Sequence, residues 1–411
     1  MIPALHLASG RSAEQATQQR SAGRGAVAAR NTLVVVEVAL ASVLLVGAGL
    51  LLRSFTALLE VDLGFQPEHA MAWRVDSPRS FETQGQAAQY LDGVVRSVSS
   101  LPGVEAVGLS DVLPLGRNRT WGAAAVGVTY RSGEAPSVFP RIVDQHYLQA
   151  MQIPLKAGRY FDDRDSAAGP RAVIINENLA RALWPGRDPI GRQITQAGGT
   201  TVIGVVGNVR HGSLEEAGRN EMYLNYHQTG DWSGMEMVVR SGRPSEALAH
   251  DVRAALTAYD PSLPNGDYYE LERLIDNAVA PRRLTTQLLG FFSTLALTLA
   301  ALGLYGVIAY AVVQRTQEIG IRMAIGAQPR DVLALIMGGG LKLVGIGIAV
   351  GLSIAFVLSR LLNSLLYGVT AHDPLVFAAN AVLLVAIATV ACLVPAWRAT
   401  RVSPLIALRA E

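Results

Sequence analysis

The sequence predicts an α-helical membrane protein with four transmembrane helices and an α+β extracytoplasmic domain inserted between helices 1 and 2. Three observations lead to this fold class. Half of the 411 residues are hydrophobic and only 17% are charged, whereas soluble domains carry about 25% charged residues. The apolar residues are concentrated in four long runs. Between the first two runs, strand-like and helix-like segments alternate instead.

Each apolar run is long enough to cross the bilayer, since about 20 apolar residues span its hydrocarbon core. The expected transmembrane helices are 33–53, 287–313, 332–358 and 375–397. Residues 1–32 are expected to be a cytoplasmic tail or linker, and 54–286 an extracytoplasmic core domain with a stalk. The remaining segments are a cytoplasmic loop (314–331), a short outer loop (359–374) and a cytoplasmic tail (398–411). Four buried helices of a soluble core are the alternative, which uninterrupted apolar runs of this length disfavour.

Arginines in the short segments indicate the orientation, because cytoplasmic loops carry an excess of basic residues. Segments 1–32, 314–331 and 398–411 each contain several arginines, whereas the loop 359–374 contains only Arg360. Three arginines that flank the large domain count against this assignment, but long domains cross the membrane largely regardless of charge. We therefore expect both termini in the cytoplasm and the large domain outside.

Charged and small residues inside the runs are candidates for function or packing. Glu37 and Lys342 are intramembrane charges, which are functional candidates by default; the alternative is that each lies near an interface or extends its side chain towards it. Gly347 and Gly351 form a GxxxG pair, which lets another helix approach closely. Packing within this chain is favoured over dimerisation for this pair.

Composition and motifs exclude several kinds of chemistry. A net charge of +2 is too small to indicate nucleic-acid binding. The single cysteine, Cys392, excludes a thiolate zinc site, and neither HExxH nor GxSxG occurs. Asp162, Asp163 and Asp165 lack the glycine and terminal glutamate of an EF-hand, so a solvated turn is favoured over a calcium site. His211 has no sequence neighbour that completes a nucleophile or zinc motif. We predict no catalytic residue and no metal site.

ATP hydrolysis by this chain is also not expected. A phosphate-binding loop needs Gly-Lys-Ser/Thr, because its lysine reaches the β- and γ-phosphates. The only two lysines, Lys156 and Lys342, both follow leucine. The chain therefore lacks a standard Walker A site.

A family resemblance rests on several segments together. Gln314–Arg330 reads QRTQEIGIRMAIGAQPR and resembles the cytoplasmic loop of MacB/FtsX-like ABC transporter permeases. Five segments of the large domain are similar to that family's periplasmic core domain: MQIPLKAGRYF at 151–161, AVIINE at 172–177, LWPG at 183–186, DPIG at 188–191 and VIGVVG at 202–207. Within the family, the chain most resembles the second half of the acidobacterial duplicated orphan permeases, although Asn208 stands where that group has aspartate.

The resemblance implies a partner and a mechanism. It implies a bacterial inner-membrane permease that pairs with an ABC-type ATPase, which would carry ATP and Mg²⁺, and with a second permease copy or sister half, surrounded by lipid. ATP-driven motion would pass to the periplasmic domain, for export or for mechanical work, and residues 271–313 are expected to form one nearly continuous helix. Residues 1–30 resemble the linker after a first half, which implies a second half, a split gene product or a fragment.

The cytoplasmic loop is the expected contact with the ATPase. Glu318 and Arg322 are four residues apart in the order that stabilises a helix, and Ile319 and Met323 lie on one face. Gly320 allows close approach of a backbone. The coupling residues implied by the resemblance are Arg315, Glu318, Ile319, Gly320, Arg322, Met323, Gly326 and Ala327. A helix lying on the lipid surface is the alternative.

Two other function classes compete with the permease. One is a membrane-anchored sensor or scaffold whose periplasmic domain binds a peptide or lipid, and an ATPase that copurifies with the chain would argue against it. The other is a membrane-anchored hydrolase, which needs a nucleophile–base pair that the sequence does not suggest.

Overall fold

The protein is described from a computed structural model. The description covers residues 4–76, 81–116, 118–131, 133–195, 199–232, 234–263, 268–325 and 328–399. The chain forms two compact units. The sheet unit is Glu60–Pro281, and the helical unit consists of the residues up to Leu59 and those from Arg282 onward.

The helices of both units are numbered in chain order. They are α1 (Ala4–Leu59), α2 (Gln84–Ser99), α3 (Tyr147–Ala150), α4 (Glu177–Leu183), α5 (Ser245–Tyr259), α6 (Glu272–Gln314), α7 (Thr316–Ala324), α8 (Pro329–Leu358) and α9 (Pro374–Ala399), with 3-10 turns at Asp163–Asp165 and Ser359–Leu365. The segment 272–314 is a single helix that includes Pro281.

Within the described residues, four helical segments are long and apolar enough to cross a membrane. They are Val27–Leu59, Glu272–Gln314, Arg330–Leu365 and Pro374–Arg398. The four apolar helices expected from the sequence are therefore present. Their apolar side chains form a shared core, to which each helix contributes: Val38 of α1, Leu304 of α6, Val344 of α8 and Leu384 of α9.

The strands all belong to the sheet unit. They are β1 (Ala70–Val75), β2 (Val104–Ser110), β3 (Trp121–Gly122), β4 (Ser137–Val143), β5 (Leu155–Gly158), β6 (Ala172–Asn176), β7 (Gln193–Ile194), β8 (Thr200–Val206), β9 (Glu221–Asn225), β10 (Met235–Ser241) and β11 (Tyr268–Glu270). The main sheet has the order β11-β1-β10-β2-β4-β9-β6-β8-β5, with β3 beside β4 and β7 beside β8. The pairs β4–β9 and β6–β8 are parallel. This is the α+β domain that the sequence predicts.

Both faces of the main sheet are covered by apolar side chains. Successive side chains of a strand point to opposite faces, and in β1 Met71, Trp73 and Val75 join one buried cluster while Ala70 and Ala72 join the other. Helix α2 supplies part of the first cluster. It begins at a capping box, in which the Thr83 hydroxyl accepts from the Gln86 backbone and the Gln86 side chain accepts from the Thr83 backbone.

Candidate functional site

The predicted coupling loop forms a short helix between two apolar helices. Helix α7 follows Arg315 at the end of α6. Glu318 lies in its first turn and Arg322 in its last, which is the favourable order relative to the helix dipole. The helix ends at Ala324, where the Ile325 backbone N–H donates to the Ile321 carbonyl at 3.1 Å.

An ion pair lies on the exposed surface of α7. The Arg322 guanidinium donates to Oε1 of Glu318 at 2.7 Å, and both side chains are about half exposed, at 52% and 49%. An exposed pair at this spacing contributes only a few tenths of a kcal/mol to stability. The pair therefore places charge at the surface without being needed to hold the helix.

The apolar residues exposed on α7 are not the ones that the sequence suggested. Ile319 is only 5% exposed and Met323 is half-buried, so the helical unit itself covers most of that face. The exposed apolar side chains are Ile321, at 43%, and Ile325, at 82%. Together with the ion pair they occupy positions i, i+3, i+4 and i+7 from residue 318, which share one helix face. This set, Glu318, Ile321, Arg322 and Ile325, is called the outer face of α7 below.

The other predicted loop residues have simpler outcomes. Arg315 is exposed, and Gly320 lies within α7. Gly326 and Ala327 lie outside the described residues. The helix ends at Ala324, two residues before Gly326.

The two glycines of the GxxxG pair lie where α8 approaches α1 of the same chain. A Cβ atom added at Gly347 would lie 2.8 Å from Cβ of Val38, and one added at Gly351 would lie 2.6 Å from Cβ of Ser42 and 2.7 Å from the Ala39 carbonyl oxygen. Both distances are shorter than an ordinary carbon contact of about 3.5–4.0 Å. Only glycine therefore fits at these positions without a shift of the helices.

The two intramembrane charges have different surroundings. Glu37 is half-buried, and its Oε2 atom is buried with no hydrogen-bond partner among the described residues. Its carboxyl group lies against Gly303 of α6. Lys342 is exposed on α8 and lines a cavity in the helical unit.

Two carboxylates of the acidic cluster in the sheet unit are paired with arginines. Arg164 donates to Asp162 at 2.7 Å, and Arg159 donates to Asp165 at 2.6 Å. The hydrogen bond from Arg164 lowers the pKa of Asp162 below its usual range. Among the residues that the structure describes, no group of three or more His, Cys, Asp or Glu side chains is arranged to hold a metal ion.

Sequence reasoning missed a buried polar cluster around His211. The structure brings Glu221 beside it, with Nε2 of His211 3.4 Å from Oε2 of Glu221, and the Tyr223 hydroxyl donates to the same oxygen at 2.8 Å. Burial raises the pKa of Glu221 to about 8 and lowers that of His211 well below its usual range. Burial thus disfavours the charged form of both groups.

Arg141 completes this cluster from strand β4. It is fully buried and donates to the Asn118 side chain, while its Nε and Nη1 atoms and both ring nitrogens of His211 have no hydrogen-bond partner in the described part of the chain. No nucleophile–base pair thus forms at His211 among these residues. The sequence feature that could have indicated this buried cluster is Arg141, which lies within the largely apolar strand 137–143.

Two protein-family models match the sequence of this chain. The family model for the MacB-like periplasmic core domain matches residues 32–255, which is more than half of the chain. The family model for the FtsX-like permease C-terminal region matches residues 290–404.

Curated relatives are similar over part of their length. The probable syringafactin export ATP-binding/permease protein SyfD of Pseudomonas syringae pv. tomato is 28% identical over 238 residues, which cover 53% of this chain and 34% of the relative. The uncharacterized ABC transporter permease YknZ of Bacillus subtilis is 24% identical over 279 residues, which cover 66% of this chain and 69% of the relative. The match to SyfD thus spans about a third of that protein's length.

A solved structure is also similar. The periplasmic region of MacB from Actinobacillus actinomycetemcomitans is 13% identical, with a TM-score of 0.37 over 54% of this chain and 97% of that one. The family assignment rests on the two family models alone, which match residues 32–255 and 290–404. On these matches, the chain belongs to the membrane permeases of ABC transporters that have a MacB-like periplasmic core domain and an FtsX-like C-terminal region.

Proposed function

We propose that this chain is a permease subunit that transmits the ATP-driven motion of a partner ATPase to its periplasmic domain. ATP and Mg²⁺ are bound and used by the partner. The chain lies in the bacterial inner membrane with both termini in the cytoplasm, crosses the membrane four times and carries the sheet unit in the periplasm between its first and second crossings. A second permease copy or sister half completes the transporter.

The outer face of α7 is the observation that supports this proposal best. It combines an ion pair with two exposed isoleucines on one side of a helix. An amphipathic helix of this kind fits a groove on a partner protein. The apolar helices α6 and α8 continue from its two ends, so a force on α7 is passed on to both.

The coupling test compares variants of this face in the purified complex with its ATPase. Glu318→Arg and Ile321→Asp should each reduce the stimulation of ATP hydrolysis and of transport by tenfold or more. The bulky substitution Gly320→Trp should do the same through steric conflict. Because the ion pair contributes only about 0.5 kcal/mol or less to stability, the thermal midpoint of Glu318→Arg should stay near that of wild type, and the loss in this variant would not come from unfolding.

A matched control exists in the sheet unit. Arg219 and Glu216 form an exposed pair at 2.6 Å, with exposures of 55% and 49%, which closely resembles the pair on α7. Charge reversal by Glu216→Arg should leave ATP hydrolysis and transport unchanged. If the α7 variants also behave as wild type, α7 is not the transmission element, and a sensor or scaffold becomes the better interpretation.

The orientation has its own test. Ala168 is exposed in the sheet unit, Ile325 is exposed beside α7, and the native Cys392 is buried. In intact cells, a membrane-impermeant thiol reagent should label Ala168→Cys, and it should label Ile325→Cys only after permeabilisation. The reverse pattern would place the sheet unit in the cytoplasm.

A further inference from the structure

We infer that the cavity between α1, α6, α7 and α8 binds one anionic phospholipid, whose phosphate is held by Arg315 and Lys342. This cavity lies within the helical unit, has a volume of about 450 Å³ and is lined by side chains from all four helices. The cavity shares the charged residues Arg315, Glu318 and Arg322 with the predicted coupling residues, but the inference names a ligand that the coupling mechanism does not require.

The shape of the cavity suits an acyl chain. The residues of α8 that line it extend from Asp331 to Ile346, a distance of about 22 Å along the axis at 1.5 Å per residue. They recur every three or four positions, so they form one stripe on the helix. Apart from its charged members, this wall is apolar, and α6 adds Val307, Ile308, Ala311 and Val312.

Two cationic side chains of the cavity have no bonded anion. Of the acidic residues in the lining, Glu318 is paired with Arg322 at 2.7 Å, and Asp331 accepts from the Gln328 backbone at 3.1 Å. Among the described residues, neither the side chain of Arg315 nor that of Lys342 has a hydrogen-bond or ion-pair partner. The Asp331 carboxylate keeps its charge, so the lining carries a net charge of +1, and neither of the two unpaired cationic side chains forms an ion pair with it.

The position of Lys342 favours an external anion. It lies within the apolar segment Arg330–Leu365, and a cation at such a position is costly unless it is paired. A lysine side chain extends towards the membrane surface, and Arg315, at the end of α6, lines the same cavity. A phospholipid supplies both the phosphate between these cations and the acyl chain along the apolar wall.

The first test measures lipid binding by native mass spectrometry of the purified full chain in detergent. Phosphatidylglycerol should bind about tenfold more tightly than phosphatidylcholine, which has no net negative charge. The double variant Arg315→Gln/Lys342→Leu should lose this preference, whereas Arg360→Gln, which changes an arginine outside the cavity, should keep it. Equal binding of the two lipids by wild type would overturn the inference.

A second pair of variants tests the acyl chain without changing any charge. A Cβ atom added at Gly339 or at Gly345 meets open space, but only Gly339 lines the cavity. Gly339→Leu should weaken phosphatidylglycerol binding about tenfold, while Gly345→Leu should not. Equal effects of both leucines, or retained binding in both, would overturn the site. Because no ATPase is present, these results do not depend on the coupling mechanism.

Discussion

Replacing Gly351 by alanine tests the contact between α1 and α8 directly. The added Cβ would lie 2.6 Å from Cβ of Ser42 and 2.7 Å from the Ala39 carbonyl oxygen. One of these neighbours is backbone, so no side-chain rotation relieves the overlap. The helices would have to separate by about 1 Å to restore an ordinary contact of about 3.5–4.0 Å. The Ser42 hydroxyl, which accepts from the Asn380 side chain at 2.8 Å, would move with them.

The size of the effect follows from two opposing contributions. Overpacking a close contact costs about 1–3 kcal/mol, while alanine in place of glycine within a helix gains about 0.5–1 kcal/mol. Gly345 lies in the same helix, and a Cβ there meets no atom within 4 Å. Gly345→Ala therefore receives the gain alone. The difference between the two variants should equal the packing cost, about 1–3 kcal/mol in favour of Gly345→Ala.

The measurement is unfolding of the purified chain in mixed detergent micelles, with increasing dodecyl sulfate, followed by far-ultraviolet circular dichroism. Gly351→Ala should unfold at lower dodecyl sulfate than wild type, and Gly345→Ala at the same or higher content. Coincident curves for the two variants would refute the assignment of Gly351 to a tight contact within the chain.

Two further predictions concern the sheet unit. Because burial raises the pKa of Glu221 from 4.5 to about 8, the folded unit retains a proton that the unfolded chain releases, so its stability should fall as the pH rises from about 5 to 8. In urea titrations of the full chain at several pH values, Glu221→Gln should reduce this loss of stability. If the free energy of unfolding of the variant falls with pH as steeply as that of wild type, the assignment to Glu221 is wrong. Thr83→Ala removes the side-chain half of the α2 capping box and should cost about 1 kcal/mol; a thermal midpoint equal to that of wild type would contradict this role.

The sequence predicts the helices well because their signals are local. The length of each apolar run is enough to identify a membrane-spanning helix. Helix α2 (Gln84–Ser99) also carries local signals, because its buried apolar positions recur at helical spacing and Pro102–Gly103 follows it. The GxxxG pair likewise predicts a close approach, but only the tertiary structure shows that Val38 and Ser42 of the same chain are the residues approached.

The features that the sequence missed depend on contacts between distant segments. The cluster of Arg141, His211 and Glu221 forms because β4 and β9, far apart in the chain, pair in parallel. On α7 a periodic pattern shows that apolar positions share a face, but it cannot show which face the rest of the protein covers. In the structure, Ile319 is buried and Ile321 is exposed. The placement of the chain within the acidobacterial group stays a prediction.

The strand order of the main sheet has a consequence for biosynthesis. Strand β1 is made first, yet its two neighbours, β10 and β11, are the last strands of the unit to be made. Until the ribosome has passed residue 241, both edges of β1 lack their partners, and the edge that pairs with β11 lacks its partner until residue 270. Unpaired edges attract other chains. The growing segment must therefore remain incompletely folded almost until α6 emerges. A chain truncated before residue 235 would lack both partner strands of β1, so both edges of β1 would stay unpaired and prone to aggregation.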